Sequence, residues 1–265
     1  MKTRSRKVAM VTGGASGIGR GVSLKLFDEG YHVIVCDKNL ELAESILPKR
    51  TDVGNQIFPR YLDVSKPRRV ETLFKKVFEK FGSIDVLVNS AGFTNPPVPL
   101  IEKKDSDFKR IIDVHLMGTF YCMREAATYM ARRKFGRIIN IASRAGVFGL
   151  YGKSDYSAAK AGIIGLTFAG AKELYKRGIT VNVIAPAAIR TPLSMKNITK
   201  QKKRRARLDM VVGEPSDVAN LVSFLSKDES HLMNGLLFLL DAGGHLWHGM
   251  DDVFSQMIKR DSELG

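Results

Sequence analysis

The sequence predicts a single α/β domain built on an open, doubly wound parallel sheet with helices on both faces. Three observations lead there. Short apolar runs alternate with stretches of helical periodicity along most of the 265 residues, which is the pattern of strand–helix–strand units. The first run, Val8–Thr12, passes straight into a glycine-rich turn and then into an amphipathic stretch. A later run, Arg137–Ala142, has the continuous apolar character of a strand buried on both faces and precedes a long helical stretch.

The first element is the strand Val8–Thr12. The turn Gly13-Gly14-Ala15-Ser16-Gly17-Ile18-Gly19 follows, then a helix with Val22, Leu24, Leu26 and Phe27 on its apolar face, ending at Gly30. Strand, glycine turn and helix together form a phosphate-binding element. Glycine permits the tight turn and close backbone approach, and a helix N-terminus offers unpaired N–H groups to a pyrophosphate. The spacing is GxxxGxG rather than GxGxxG. The second strand is His32–Cys36, closed by Asp37, an acid twenty residues after Gly17. A carboxylate there accepts hydrogen bonds from adenosine ribose hydroxyls and repels a 2′-phosphate, so NAD is favoured over NADP. Lys38 softens that preference.

A short helix over 40–47 comes next, then a strand ending in Tyr61-Leu62-Asp63-Val64. Ser65 is placed to cap the following helix, Val70 to Phe81, whose apolar residues have helical spacing. Ile84–Val88 is the fourth strand, ending in Asn89-Ser90-Ala91-Gly92, where small residues let a flat cofactor lie near the backbone. A helix spans Phe108 to Arg132. Arg137–Ala142 is the fifth strand, Ile179–Ile184 the sixth and Leu236–Leu240 the last, with a helix over Pro215–Leu225 between them.

The chemistry centres on Ser143–Lys160. Ser143 falls at the carboxyl end of the fifth strand, where open parallel sheets bind ligands. Tyr156 and Lys160 stand four residues apart, on one face of a helix. A free tyrosine, with a pKa of about 10, is a poor acid or base at neutral pH. A lysine cation nearby lowers that pKa, and a serine hydroxyl opposite holds a substrate oxygen. Such a trio moves a proton on or off an alcohol or carbonyl oxygen, and a hydride cofactor does the other half.

Composition excludes several classes. No run reaches the length of a membrane helix. The basic start MKTRSRK leads straight into a strand, without the features of a signal peptide. Cys36 and Cys122 lie in apolar surroundings, which indicates a reduced, cytoplasmic protein rather than a disulfide framework. The net charge of +15 implies attraction to anions without choosing among them.

As a set, Thr12-Gly13 with Gly17-Ile18-Gly19, Asp63, Asn89-x-Ala91-Gly92, Ser143, Tyr156-x-x-x-Lys160 and Pro186 with Thr191 resemble the short-chain dehydrogenase/reductase family, over residues 7 to about 244. Within it the chain looks like an NAD-preferring member similar to 3-oxoacyl-acyl-carrier-protein reductases. The resemblance implies a Rossmann fold with a seven-stranded parallel sheet. It implies Tyr156 as general acid/base, Lys160 holding the nicotinamide ribose and lowering the tyrosine pKa, and Ser143 orienting the substrate oxygen. It further implies cofactor contacts from Gly13, Ser16, Gly17, Ile18 and Gly19, from Asp37, Asp63 and Val64, from Asn89, Ala91 and Gly92, and from Pro186, Ile189 and Thr191. Asp63 would meet the adenine and Thr191 the carboxamide. Members are mostly tetramers or dimers.

The sequence departs from the family at His115, where asparagine is usual and helps bind a water in the proton relay. Two readings stand: an imidazole that takes over the relay with altered pH dependence, or a hydrogen-bonded core residue. Ser90 and Ala187 also replace common residues. The segment 193–213, where the family places its substrate lid, carries Lys200-Gln201-Lys202-Lys203-Arg204-Arg205-Ala206-Arg207. It is either a solvated helix face or an anion-binding lid for an acyl thioester. The extension 245–265 has helical spacing at Met250, Val253, Phe254, Met257 and Ile258; His245 and His248 lack a third ligand, so no metal site is expected. The sequence thus predicts a hydride-transferring oxidoreductase acting on a secondary alcohol or carbonyl. A 3-hydroxyacyl or 3-oxoacyl thioester is one substrate class, and a polyol, sugar or cyclic alcohol is the alternative. A silent dinucleotide sensor and a charge-driven nucleic-acid binder are the rivals from other classes.

Overall fold

The computed structural model describes residues 6–47, 56–192, 194 and 212–244. The strands are β1 (Val8–Thr12), β2 (His32–Asp37), β3 (Ile57–Tyr61), β4 (Val86–Asn89), β5 (Gly136–Ile141), β6 (Ile179–Pro186) and β7 (Leu237–Leu240). They form one seven-stranded parallel sheet in the order β3-β2-β1-β4-β5-β6-β7. The order reverses between β1 and β4, and a sheet of this kind binds its ligand in the crevice at that switch point. Thr12 pairs with Asn89 across it, and Asn89 with Asn140.

Helices cover both faces because every central strand is buried on both sides. On one face lie α1 (Gly17–Asp28) and, near the C-terminus, α8 (Pro215–Leu225). Val22, Leu26, Val218 and Val222 pack there against Val11, Val33, Val35 and Val88. On the other face are α3 (Pro67–Phe81) and α5 (Gly118–Arg133), where Phe74, Val77, Cys122 and Met130 meet Met10, Ile34, Leu87 and Ile138. Four shorter or later helices complete the described residues: α2 (Leu40–Glu44), α4 (Asp105–Ile112), α6 (Ala145–Phe148) and α7 (Ser154–Leu174). Both cysteines are buried and unpaired.

Several element boundaries differ from the sequence reading. The third strand ends at Tyr61, so Leu62–Val64 leave the ladder and turn over the sheet's carboxyl edge. Ser65 does not cap α3. Pro67 opens that helix, where its missing N–H costs nothing, and the Ser65 hydroxyl instead donates to Asp63 Oδ1 at 2.7 Å. Ile84 and Asp85 precede β4, and Asp85 Oδ2 accepts the Val8 N–H at 2.8 Å. The expected helix from Phe108 is two helices, α4 and α5, joined by a π-helical turn at Asp113–Met117. The basic run Lys200–Arg207, most of the 193–213 segment and the extension 245–265 with His245 and His248 lie outside the described residues.

Candidate active site

A cleft of about 630 Å³ opens along the carboxyl ends of β1, β2, β4 and β5. One wall is the glycine turn. Gly13 and Gly17 take left-handed φ values of +62° and +50°, which side chains rarely adopt. A Cβ on Gly13 would lie 2.7 Å from Ala91 Cα, so the absence of a side chain lets the turn cross the switch point against β4. Thr12 fixes that crossing: its Oγ1 accepts the Ser90 and Ala91 N–H groups at 3.2 and 3.3 Å. A Cβ on Gly19 would strike the Gly13 carbonyl, which accounts for glycine there as close packing of helix on turn.

Asp37 closes this wall. Its Oδ2 accepts the Ala15 N–H at 3.2 Å and its Oδ1 the Asn39 N–H at 2.9 Å, so the carboxylate is tied to the glycine turn. Asp63 stands beside it, with Lys38 Nζ 3.8 Å from its Oδ2. Burial acts to raise the Asp63 carboxyl, but the Ser65 hydroxyl and amide together with Lys38 and Lys66 outweigh it and hold the group below the usual carboxylate range. The cradle fits a dinucleotide: bare backbone at the turn, an N-terminal helix end behind it and a fixed carboxylate beyond.

The opposite wall carries side chains. Tyr156 and Lys160 sit in the first two turns of α7, and Lys160 Nζ donates to the Ile141 carbonyl at 2.7 Å while lying 5.6 Å from the Tyr156 ring centre. Burial brings the Lys160 pKa down to about 7. Burial also raises the Tyr156 hydroxyl, and a hydrogen bond with the Ser143 side chain opposes that rise. The sequence reading had Lys160 lowering the tyrosine pKa. In the protein alone the direction is upward, because desolvation outweighs the help and the lysine ammonium is directed at the Ile141 carbonyl.

His115 lies on the π-helical turn, only 2% exposed. Its Nε2 is 3.1 Å from the Phe93 N–H nitrogen and 2.8 Å from the Phe93 carbonyl oxygen, and its ring meets Tyr156 edge-on at 5.4 Å. Gly92 leaves room for the ring, since a Cβ there would collide with it. Burial and the nearby Lys160 charge lower the imidazole pKa to about 3, against the Phe93 bond that raises it. The group is therefore neutral at physiological pH. Its contacts match the hydrogen-bonded core reading, and its buried Nδ1 has no protein partner among the described residues.

The structure brings Gly13, Ser16, Gly17, Ile18, Asp37, Asp63, Val64, Ala91, Gly92, His115, Tyr156, Lys160 and Thr191 to the cleft. The Asn89 side chain does not line it: it is buried, its Nδ2 donates to Asn140 Oδ1 at 2.9 Å, and Asn140 Nδ2 donates to Thr167 Oγ1 at 2.9 Å. Gly19, Pro186, Ile189 and Ser143 do not line the cleft; Ser143 Oγ accepts the Ala145 N–H at 3.1 Å, and its hydroxyl acts to lower the Tyr156 pKa.

Two features escaped the sequence reading. Arg110 lines the cleft with its guanidinium 4.6 Å over the Phe93 ring. Asp155, next to Tyr156, caps the Tyr156 N–H at 2.9 Å and pairs with Lys103 at 3.1 Å, both charges being 5% exposed or less. Lys153 ties the same turn to Thr94 at 2.6 Å and to the Asn95 carbonyl. These partners lie about 50 residues apart, and no local pattern marks them.

A glycine turn at the switch point of a parallel sheet, facing a tyrosine–lysine pair, is the arrangement of a nicotinamide-dinucleotide oxidoreductase acting on CH–OH groups. The chain belongs to the short chain dehydrogenase family, whose model matches residues 7–202. It is 36% identical to a 3-oxoacyl-[acyl-carrier-protein] reductase of Thermotoga maritima over 241 residues, covering 89% of this chain and 97% of that one. It is 35% identical to a (2S)-[(R)-hydroxy(phenyl)methyl]succinyl-CoA dehydrogenase subunit of Thauera aromatica over 247 residues, covering 92% and 98%. Among solved structures it is similar to a levodione reductase, with a TM-score of 0.85 and 29% identity over 91% of this chain and 98% of that one.

Proposed function

We propose that this enzyme interconverts a 3-oxoacyl and a 3-hydroxyacyl thioester, with NAD(H) as its dinucleotide. When bound, the nicotinamide ring supplies or accepts the hydride. Tyr156 gives its hydroxyl proton to the carbonyl oxygen on reduction and takes it back on oxidation. Ser143 shares the hydrogen bonding at that oxygen, and Lys160 would hold the ribose and, as an ammonium, stabilise the phenolate left when Tyr156 gives up its proton. Gly13, Ser16, Gly17 and Ile18 would cradle the pyrophosphate, Asp63 and Val64 the adenine, and Thr191 the carboxamide. His115 acts as a positioning residue that pins Phe93, and with it the strand end Ala91–Gly92.

The observation that carries the NAD preference is Asp37, a carboxylate held at the end of β2 by two backbone N–H groups. A 2′-phosphate would meet that charge. The thioester class is supported by relatives over nearly their whole length that are named for carrier-protein and coenzyme A substrates. The similarity to a levodione reductase supports the second reading, a cyclic ketone or alcohol.

Buried, unpaired cysteines fit a reducing, cytoplasmic setting, and no helix among the described residues is long and apolar enough to cross a membrane. Self-association as a dimer or tetramer is part of the proposal, supported by exposed Leu100 and Ile101 on a 3-10 turn and Tyr151 on the segment hydrogen-bonded beside it.

The test follows absorbance at 340 nm with NADH and NADPH side by side, over 3-oxoacyl thioesters, cyclic diones and polyols. Faster turnover with NADH and a thioester is expected. Preference for NADPH would overturn the role of Asp37, and turnover confined to diones would move the substrate to the second reading.

A further inference from the structure

A second cavity, of about 590 Å³, lies between α3 and the edge strand β3. It shares no lining residue with the catalytic cleft. Ile34, Leu73, Val77 and Phe81 give it an apolar floor, and Tyr61 adds an aromatic side. Arg60, Arg68, Arg69, Lys76 and Lys80 surround it, and no acidic residue lines it.

The charges of α3 are sorted. The helix carries five cations and two acids, and four of those cations line the cavity while neither acid does. Glu79 pairs with Lys75 at 3.8 Å, and both Glu71 and Glu79 act on Tyr129 of α5, on the other side of the helix. Arg68, Thr72, Lys76 and Lys80 recur every four residues and so form one stripe. Lys76 and Lys80 stand at a spacing where like charges repel, a cost a merely solvated face has no reason to bear.

Among the described residues none of the five cations forms an ion pair. Three of them rest on aromatic or backbone groups instead. Arg69 lies 5.2 Å over the Tyr61 ring, Lys80 lies 4.7 Å over Phe58, and Arg60 Nη1 donates to the Pro59 carbonyl at 2.6 Å. These contacts leave guanidinium and ammonium donors without an anion.

We propose that this groove is a binding site for an organic phosphate with a flat apolar body, separate from the dinucleotide cleft. Five positive charges call for more than one negative charge, and arginine forks match phosphate oxygens in pairs. The apolar floor and the rings receive the body of the ligand. The volume lies within the range of about 300–1,000 Å³ typical of small-molecule sites. An extended peptide added to the sheet edge is disfavoured, because Pro59 in β3 offers no N–H to a partner strand.

The test is calorimetric titration of the enzyme with 1-naphthyl phosphate, with NADH saturating the cofactor cleft. Inorganic phosphate and 1-naphthol are run as the separated charge and body. Saturable binding of the phosphate ester in the sub-millimolar range is expected, with each half binding more weakly. An Arg68→Gln/Arg69→Gln/Lys76→Gln variant should weaken it by about tenfold or more and leave turnover unchanged, since these exposed side chains touch nothing in the catalytic cleft. Absence of saturable binding, or equal binding by the variant, would overturn the proposal. Tighter binding of a single-stranded oligonucleotide, lost in the variant, would also overturn it by assigning the groove to a nucleic-acid backbone.

Discussion

The two walls of the catalytic cleft present different chemistry. On the β1–β2 side the ligand meets backbone: two glycines in left-handed conformations, the N-terminal end of α1, and a carboxylate fixed by amides. On the β4–β5 side it meets side chains: Tyr156, His115 against Phe93 and Lys160 on the Ile141 carbonyl, with the buried Lys103–Asp155 pair beneath them. A backbone cradle is damaged by adding an atom, and a side-chain site by removing one. Binding and chemistry are therefore separable by mutation, one wall at a time.

The largest effect belongs to the side-chain wall. Tyr156→Phe deletes one oxygen and should lower turnover by about 10²–10⁴-fold, the usual contribution of a positioned acid/base group, in steady-state assays with saturating NADH. The next largest is a stability effect beneath the same wall. Lys103→Met leaves the Asp155 charge buried and unpaired, and should cost about 3–5 kcal/mol in urea unfolding. A Lys103→Met/Asp155→Leu double variant should recover much of that stability but lower turnover, because the Tyr156 N–H has lost its cap. Stability recovered with turnover unchanged would show that the pair holds the fold without positioning Tyr156.

On the backbone wall, Asp37→Ser removes charge-assisted hydrogen bonds worth about 1.5–3 kcal/mol and a repulsion against a 2′-phosphate. The NAD-to-NADP preference should fall by roughly 10–100-fold, read as a ratio of kcat/KM values, with turnover number little changed. A fall in turnover number instead would place Asp37 in the chemistry and blur the division.

The last effect concerns His115. Its folded pKa of about 3 lies below the unfolded value of about 6.5, so the folded protein binds fewer protons between those values. Stability contributed this way is present above pH 6.5 and lost as pH falls towards 3. A His115→Asn variant should lose less stability than the parent between pH 6 and pH 4, measured by thermal melts. Equal losses would mean that the imidazole is charged in the folded protein.

Legibility divides along the same line. The glycine turn and the Tyr156–Lys160 pair were readable because their spacing is local and set by one turn or one helix. The alternation of strands and helices fixed the layer arrangement for the same reason. The Lys103–Asp155 pair and the His115–Phe93 contact were not, because each joins loops that only the folded sheet brings together. The Asn89 side chain was not legible either, since a strand end does not reveal which way its side chain turns, and here it turns to Asn140. The downward shift expected at Tyr156 failed because one-turn spacing says nothing of where the lysine amine is aimed or how dry the site is. The cationic groove could not be found from the charge total, since it depends on Arg60 of β3 meeting the stripe on α3.

The most direct measurement is NADH affinity and turnover determined together on Tyr156→Phe, by fluorescence titration and the 340 nm assay on one preparation. The division between walls predicts an NADH dissociation constant within about twofold of the parent alongside the loss of turnover. Loss of both together, or retention of turnover with binding intact, would contradict it.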